Sequence, residues 1–317
     1  MTANLTRRTW LTTAATAVGG MAIAGAAASA QENKDRKTAA PFRYGLNTAT
    51  LRGQKLSIVE EVEIASRAGY QAIEPWVSEL HQYVAEGGSL KDLGKRIADR
   101  GLSVDSAIDF FEWIVDDDAQ RKKGLENARR SMDRVKQIGG LRIAAPPSGA
   151  TNRAAIPLLT AAERYRVLLD IGTQIGVIPQ VEVWGFSKVL SRLGEAALVA
   201  IESGHKEACI LADVYHLYKG GSGFEGVNLL GGSTMHVLHM NDYPADPPRA
   251  VITDAHRIYP GEGVAPLKTF LRDLRHIGFR GVLSLELFNR EYWKHDALAV
   301  ARTGLEKMKA VVASSLE

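Results

Sequence analysis

The chain has a single cysteine, Cys209, so no internal disulfide holds it together. Cys209 lies in an apolar run and reads as a small buried hydrophobe. No G-x-G-x-x-G follows the first strand-like run, which removes the usual sign of a dinucleotide-binding sheet. No internal repeat exceeds one strand–helix unit, and no low-complexity tract lies beyond the first thirty residues. Net charge is also scarce. The formal +3 falls to +1 once Arg7 and Arg8 are set aside with those first thirty residues, which carry no acid. The basic balance therefore gives no support for nucleic acid or an anionic membrane as a partner.

What is present begins with a leader. Thr6-Arg7-Arg8-Thr9-Trp10-Leu11 is a twin-arginine pattern, followed by an Ala/Gly-rich stretch and then Ala28-Ser29-Ala30, an A-x-A cleavage site. Residues 1–30 read as a Tat signal peptide and 31–41 as a polar linker, which places the mature protein in the periplasm. A membrane anchor is the alternative, but the stretch is only weakly apolar and ends in the cleavage site, so no membrane association is expected after cleavage. A Tat substrate normally crosses the membrane folded, which suits a protein whose metal is loaded in the cytoplasm.

From residue 42 onward short apolar runs alternate with longer amphipathic ones. Strands are predicted over 42–48, 70–76, 103–110, 141–145, 179–184, 208–216, 235–241 and 281–288. Between them lie helical patterns, as in 57–68, where Ile58, Val62 and Ala65 repeat at spacings of four and three. Gly69, Gly101, Gly139 and Gly278 stand where helices end. Eight strands alternating with helices predict an α/β fold, a single-domain (β/α)8 TIM barrel over 42–317, with a doubly wound open sheet as the runner-up.

Four of these runs carry one polar residue among apolar neighbours: Glu182 in IPQVEVWG, Asp213 in CILADVYH, His239 in MHVLHMND and Glu286 in VLSLELFN. A lone buried carboxylate is costly unless something positive compensates it. Three carboxylates and an imidazole at the ends of the fifth to eighth strands share one barrel mouth, and together they suggest one divalent metal. Three oxygens and one nitrogen make Mn²⁺ the natural ion, with Mg²⁺, Co²⁺ and Zn²⁺ as alternatives.

In these residues the chain resembles the xylose-isomerase-like sugar phosphate isomerase/epimerase superfamily. That group takes in ketose 3-epimerases, hydroxypyruvate isomerase, the inositol-catabolic isomerases and dehydratases and, more distantly, endonuclease IV. The resemblance rests on the order Glu…Asp-x-x-His…His…Glu at successive strand ends. It also rests on Arg257-Ile258-Tyr259-Pro260-Gly261-Glu262-Gly263, which is similar to the family's P-G-x-G loop. It implies that Glu182, Asp213, His239 and Glu286 bind the metal, and that Glu182 and Glu286 also act as an acid/base pair in proton transfer through an enediolate. It further implies a substrate-contacting role for His216 and for Arg257, with Arg249 as a competitor in the long loop 242–258. Glu74 and Trp76 end the second strand and are candidates to line the mouth, Glu74 as a holder of a sugar hydroxyl. Asn47, Asp109, Trp113, Phe186 and Trp184, the last as a substrate contact, are weaker ones, and Lys219 reads as a solvated lysine.

The expected function is a metal-dependent isomerase or epimerase of an unphosphorylated ketose or keto-sugar. The alternative is a lyase or dehydratase eliminating from a 3-keto-sugar or an inositol derivative. A non-catalytic sugar-binding protein conflicts with the complete set of ligands and acid/base glutamates. An endonuclease IV-like nuclease needs a richer zinc cluster and a basic face. Relatives that pair their barrels through helices make a homo-oligomer the expectation by analogy.

Overall fold

In the computed structural model residues 42–152 and 156–317 are described. The leader 1–30 and the linker 31–41 fall outside the described residues. The strands are β1 (Arg43–Asn47), β2 (Ala72–Glu74), β3 (Arg142–Ala145), β4 (Ile178–Glu182), β5 (Ile210–Asp213), β6 (Met235–Met240) and β7 (Val282–Leu285). The helices are α1 (Ile58–Ala68), α2 (Val77–Ala85), α3 (Leu90–Asp99), α4 (Asp118–Gln137), α5 (Leu158–Ile175), α6 (Leu193–Glu202), α7 (Val214–Gly220), α8 (Leu267–His276) and α9 (Ala297–Leu316).

All seven strands pair in parallel, in the order β2-β1-β7-β6-β5-β4-β3. Segment 103–108 joins the two ends of that ladder. On the β2 side Ile73 N donates to Ser103 O at 2.9 Å and Val77 N to Ile108 O at 2.9 Å. On the β3 side Ala107 N donates to Arg142 O at 3.1 Å and Ala144 N to Ala107 O at 2.9 Å. The sheet thereby closes into a barrel rather than an open doubly wound layer. Ala72, Ile108, Ala144, Leu211, Val237 and Val282, one from each of six elements, pack together as a buried cluster, so the barrel holds a core and not a pore.

The third expected strand, 103–110, is corrected by its pairing. Parallel bridges join Ala72 to Ser103 and Trp76 to Ile108. That is four steps along one side and five along the other. One surplus residue makes a bulge, and a continuous ladder is lost. The expected strand 208–216 also ends early, at Asp213. Its Oδ1 accepts the His216 N–H at 2.9 Å and so caps α7, which turns the chain into a helix at that residue.

Helix α1 shows how local sequence sets the frame. Ser57 and Glu60 form a reciprocal capping box: Ser57 N donates to Glu60 Oε2 at 2.7 Å, and Glu60 N donates to Ser57 Oγ at 3.3 Å. A cap of this kind stabilises a helix by about 1 kcal/mol. Ile58, Val62 and Ala65 form the buried face. Gly69, at φ 96°, ends the helix in the left-handed region that a side chain would disfavour.

Glu61 shares that buried face and is 2% exposed, with Oε2 lacking a partner among the described residues. Burial, then the nearby Glu79, pushes its carboxyl up to about 10, with Arg52 opposing. The folded pKa stands above the unfolded one. The stability this group contributes is therefore complete below the unfolded value, near pH 4, and falls progressively as pH rises from there to 10. Glu61→Gln should raise the melting temperature at pH 8 and converge on the parent at pH 4, read by calorimetry at both pH values. A lower melting temperature at pH 8 would contradict a protonated Glu61.

Candidate active site

The strand ends place the four polar residues at the carboxyl mouth of the barrel. Glu182 closes β4 and Asp213 closes β5. Asp213 pairs in register with His239 on β6, and His239 pairs with Ser284 on β7. Glu286 lies one residue beyond β7, its N–H still donating to Met240 O at 3.2 Å. All four are buried. His239 Nδ1 faces three carboxylates: Glu286 Oε2 at 3.2 Å, Asp213 Oδ2 at 3.5 Å and Glu182 Oε1 at 3.9 Å.

The other imidazole nitrogen has a dedicated partner. His239 Nε2 stands 3.2 Å from Glu74 Oε2. Glu74 is itself held by Ser284 Oγ, which donates at 2.7 Å, and by Asn47 Nδ2, which donates at 3.0 Å. Asn47 Nδ2 also donates to Glu286 Oε1 at 3.1 Å. A proton on Nε2 leaves the Nδ1 lone pair for a cation, the arrangement by which an outer carboxylate orients a metal-binding histidine. This corrects the expectation for Glu74. It lies beneath the mouth, not on it, and its oxygens are already taken.

The electrostatics of the cluster fit a cation. Burial lowers the tendency of His239 to protonate, yet the carboxylates of Glu286 and Glu74, with Asp213 beside it, raise its pKa well above the ordinary value. Burial pushes Glu182 up to about 8, assisted by Glu286 and Asp213 and opposed by His239. Glu182 Oε2 and His239 Nδ1 both lack a hydrogen-bond partner among the described residues. Side-chain atoms of Asp213, His239 and Glu286 lie within 4.8 Å of one another. The orphaned buried atoms and this mixed oxygen–nitrogen donor set are suited to one divalent ion, which would displace the imidazole proton.

Comparison with known proteins agrees with the barrel. The family described as Xylose isomerase-like TIM barrel matches residues 62–311. The chain belongs to that family. Inosose isomerase of Bacillus velezensis is 26% identical over 263 residues, which cover 81% of this chain and 92% of that one. The 3-dehydroshikimate dehydratase of Pseudomonas aeruginosa is 24% identical over 84% of this chain, which spans 41% of that larger protein. Among solved structures, the IolI protein with a bound zinc atom superposes with a TM-score of 0.80 at 22% identity, over 86% of this chain and 99% of that one.

In this xylose isomerase-like barrel, Arg257 enters the cluster from the loop after β6. It is buried, not at the surface, and its Nη1 donates to Asp213 Oδ2 at 2.6 Å and to Glu286 Oε2 at 2.8 Å. Nη2 lies 3.2 Å from His216 Nε2 and donates to Asp254 Oδ1 at 2.6 Å. Burial raises the Asp213 carboxyl, but Arg257 and the neighbouring histidines overcome this and hold it well below the usual range. Burial lowers His216, so it is a neutral imidazole whose Nδ1 is without a partner among the described residues. Arg249 is exposed.

A cavity of about 240 Å³ opens above the cluster. Glu182, His216, Asp254, Arg257 and Glu286 form its polar lining, and Trp76, Ile108, Phe110, Trp184, Phe186 and Phe288 its apolar lining. Trp184 and Phe186 thus reach the mouth as expected. Trp113 does not line it: it is fully buried and its indole N–H donates to Pro146 O at 2.8 Å. Asp109 is likewise not part of the cavity wall.

The loop that carries Arg257 is fastened at several points. Asp242 and Ile258 exchange backbone hydrogen bonds at 3.0 and 2.9 Å. The Asp242 carboxylate accepts from the backbone N–H groups of Gly261 at 3.0 Å, Gly263 at 3.1 Å, Ala265 at 3.0 Å and Tyr243 at 2.8 Å, gathering the P-G-E-G turn. Lys219 is not solvated: its Nζ donates to the carbonyls of Arg249, Ala250 and Ile252 at 3.0, 3.1 and 2.9 Å. Asn241 was not singled out from sequence. Its Oδ1 accepts the Tyr215 N–H at 2.9 Å and its Nδ2 reaches Asp213 at 3.3 Å. The visible signal for Asn241 and Asp242 is that they are the first polar pair after the apolar run ending at Met240.

Proposed function

We propose that this chain is a divalent-metal-dependent isomerase or epimerase acting on an unphosphorylated ketose or keto-sugar. The observation that carries this reading is the placement of Glu182 and Glu286. They come from strands separated by β5 and β6, flank His239 Nδ1, and line one cavity. Glu182, Asp213, His239 and Glu286 would hold the ion, Mn²⁺ by donor chemistry, and the bound ion supplies Lewis-acid polarisation of a substrate carbonyl. One glutamate removes the proton from the carbon beside the carbonyl. The other returns it to a different carbon or to the other face. His216 lines the same cavity and would contact the substrate there.

The cavity supports an unphosphorylated substrate. Among the described lining residues Arg257 is the one group with a permanent positive charge, and its guanidinium is committed to Asp213, Glu286 and Asp254. No free cation is left there to meet a phosphate. Export by the Tat pathway to the periplasm belongs to the same proposal and rests on Arg7-Arg8 and Ala28-Ser29-Ala30. The dehydratase relative keeps elimination as the second reading, since the same proton abstraction expels a leaving group placed β to the new negative charge.

The test uses the mature protein loaded with Mn²⁺ and a panel of free, phosphorylated and 3-keto sugars in D₂O. Deuterium should enter the carbon next to the carbonyl of the turned-over sugar, and metal analysis should find about one ion per chain. Turnover without exchange for every substrate would reject the proton-transfer mechanism. Three zinc ions per chain would favour a nuclease instead.

A further inference from the structure

The apolar part of the cavity lining is a continuous belt of rings that adjoins the polar groups at His216 and Arg257. Phe288 and Trp76 lie 6.1 Å apart between centroids, Trp76 and Phe110 5.0 Å, Phe110 and Trp184 5.6 Å, and Trp184 and Phe186 5.1 Å. These five rings follow three barrel strands and the bulged segment 103–108, so no single local sequence preference accounts for them. Core packing does not account for the outer two either. Phe110 and Phe186 are each 42% exposed beside the cavity. Leaving that much aromatic surface in water forgoes hydrophobic stabilisation, which a ligand would restore.

The hydrogen-bonding capacity of the belt is low. The Trp76 indole N–H is spent on Asn47 Oδ1 at 3.0 Å. Ile108, Phe110, Phe186 and Phe288 offer no polar side-chain atom. The Arg52 guanidinium packs 3.8 Å from the Trp76 ring centroid and 5.6 Å from that of Phe288, which fixes both rings by cation–π contact. A sugar ring placed at the carboxylates finds its partners among Glu182, His216 and Asp254. A second sugar against the belt would find the Trp184 indole N–H there and would leave most of its hydroxyls without partners. A flat apolar group would stack there without that penalty.

We infer that the aromatic belt is a subsite for a planar apolar substituent, so that the substrate is a keto-sugar bearing an aryl aglycone rather than a free keto-sugar. This rests on the keto-sugar reading above for the identity of the sugar part alone.

The test measures binding and turnover separately. Matched phenyl and methyl glycosides of 3-keto-glucose, of glucose and of galactose are titrated into the Mn²⁺-loaded protein, with a 3-keto disaccharide alongside, by calorimetry. Phenyl compounds should bind about tenfold or more tightly than their methyl partners, as expected from two or three aromatic contacts. In the Phe110→Ala/Phe186→Ala double variant, shown to be folded by its melting temperature, that ratio should fall below about twofold. No phenyl preference for any sugar overturns the subsite, as does tighter binding of the disaccharide than of the phenyl glycoside. Deuterium exchange in the methyl compound with no phenyl preference would leave the isomerase reading standing without the subsite. A phenyl preference that collapses in the double variant, with no exchange in any compound, would establish the subsite and sink the isomerase reading.

Discussion

Glu286→Gln should lower kcat by about a thousandfold or more while the barrel stays folded. Glutamine keeps the shape and an acceptor oxygen for Arg257 Nη1, which now reaches Glu286 Oε2 at 2.8 Å. It replaces the other oxygen by an amide that opposes the Asn47 Nδ2 donor, now 3.1 Å from Oε1. That conflict costs about 1–2 kcal/mol, small beside the stability of a barrel this size. The chemical loss is larger, because a glutamine neither accepts nor returns a proton at neutral pH. Loss confined to kcat, with substrate binding largely retained, and loss of solvent deuterium exchange would identify proton transfer as the missing step. Full activity in this variant would remove Glu286 from the acid/base pair.

Arg257→Met should destabilise the protein by about 3–5 kcal/mol, the range for a buried ion pair stripped of one partner. For a domain of this size that is roughly ten degrees in melting temperature. Asp213 loses the guanidinium at 2.6 Å and Glu286 the one at 2.8 Å, and both remain buried. His239 is then the remaining cation in direct contact with the cluster. Added Mn²⁺ should recover part of the loss, because a dication meets the same oxygens. The rise in melting temperature with Mn²⁺ should therefore be steeper in the variant than in the parent. An Arg257→Met protein as stable as the parent in the presence of a chelator would show that the guanidinium contributes nothing to holding the carboxylates.

These two side chains differ in how far their surroundings could be read from sequence. Glu286, like Glu182, Asp213 and His239, stands out because a polar residue in an apolar strand has to be compensated. Strand spacing then brings the four to one barrel mouth. Arg257 sits in a loop with no periodicity, so nothing in its neighbours distinguishes burial among carboxylates from exposure. Glu74 is similar. Its partnership with His239 spans 165 positions in sequence and depends on β2 and β6 lying across the barrel from one another. The sequence of segment 103–108 reads as barrel wall but not as an irregular one, because its surplus residue shows only against the β2 register. Glu61 is legible in the sequence: it falls three residues after Ile58 and four before Ala65, on the apolar face of its helix.

The bridge between Asp242 and Ile258 has a consequence for how the sequence can vary. The excursion between them leaves and returns through one pair of backbone hydrogen bonds, and Arg257 sits immediately before the return. Residues inserted or deleted at the exposed tip around Ala245 and Asp246, ahead of the carbonyls that Lys219 holds, change the size of a closed loop at little entropic cost, leaving the arginine's anchor where it is. The tip is therefore a place to graft new segments, such as a tag or a second recognition element, without rebuilding the carboxylate cluster below it.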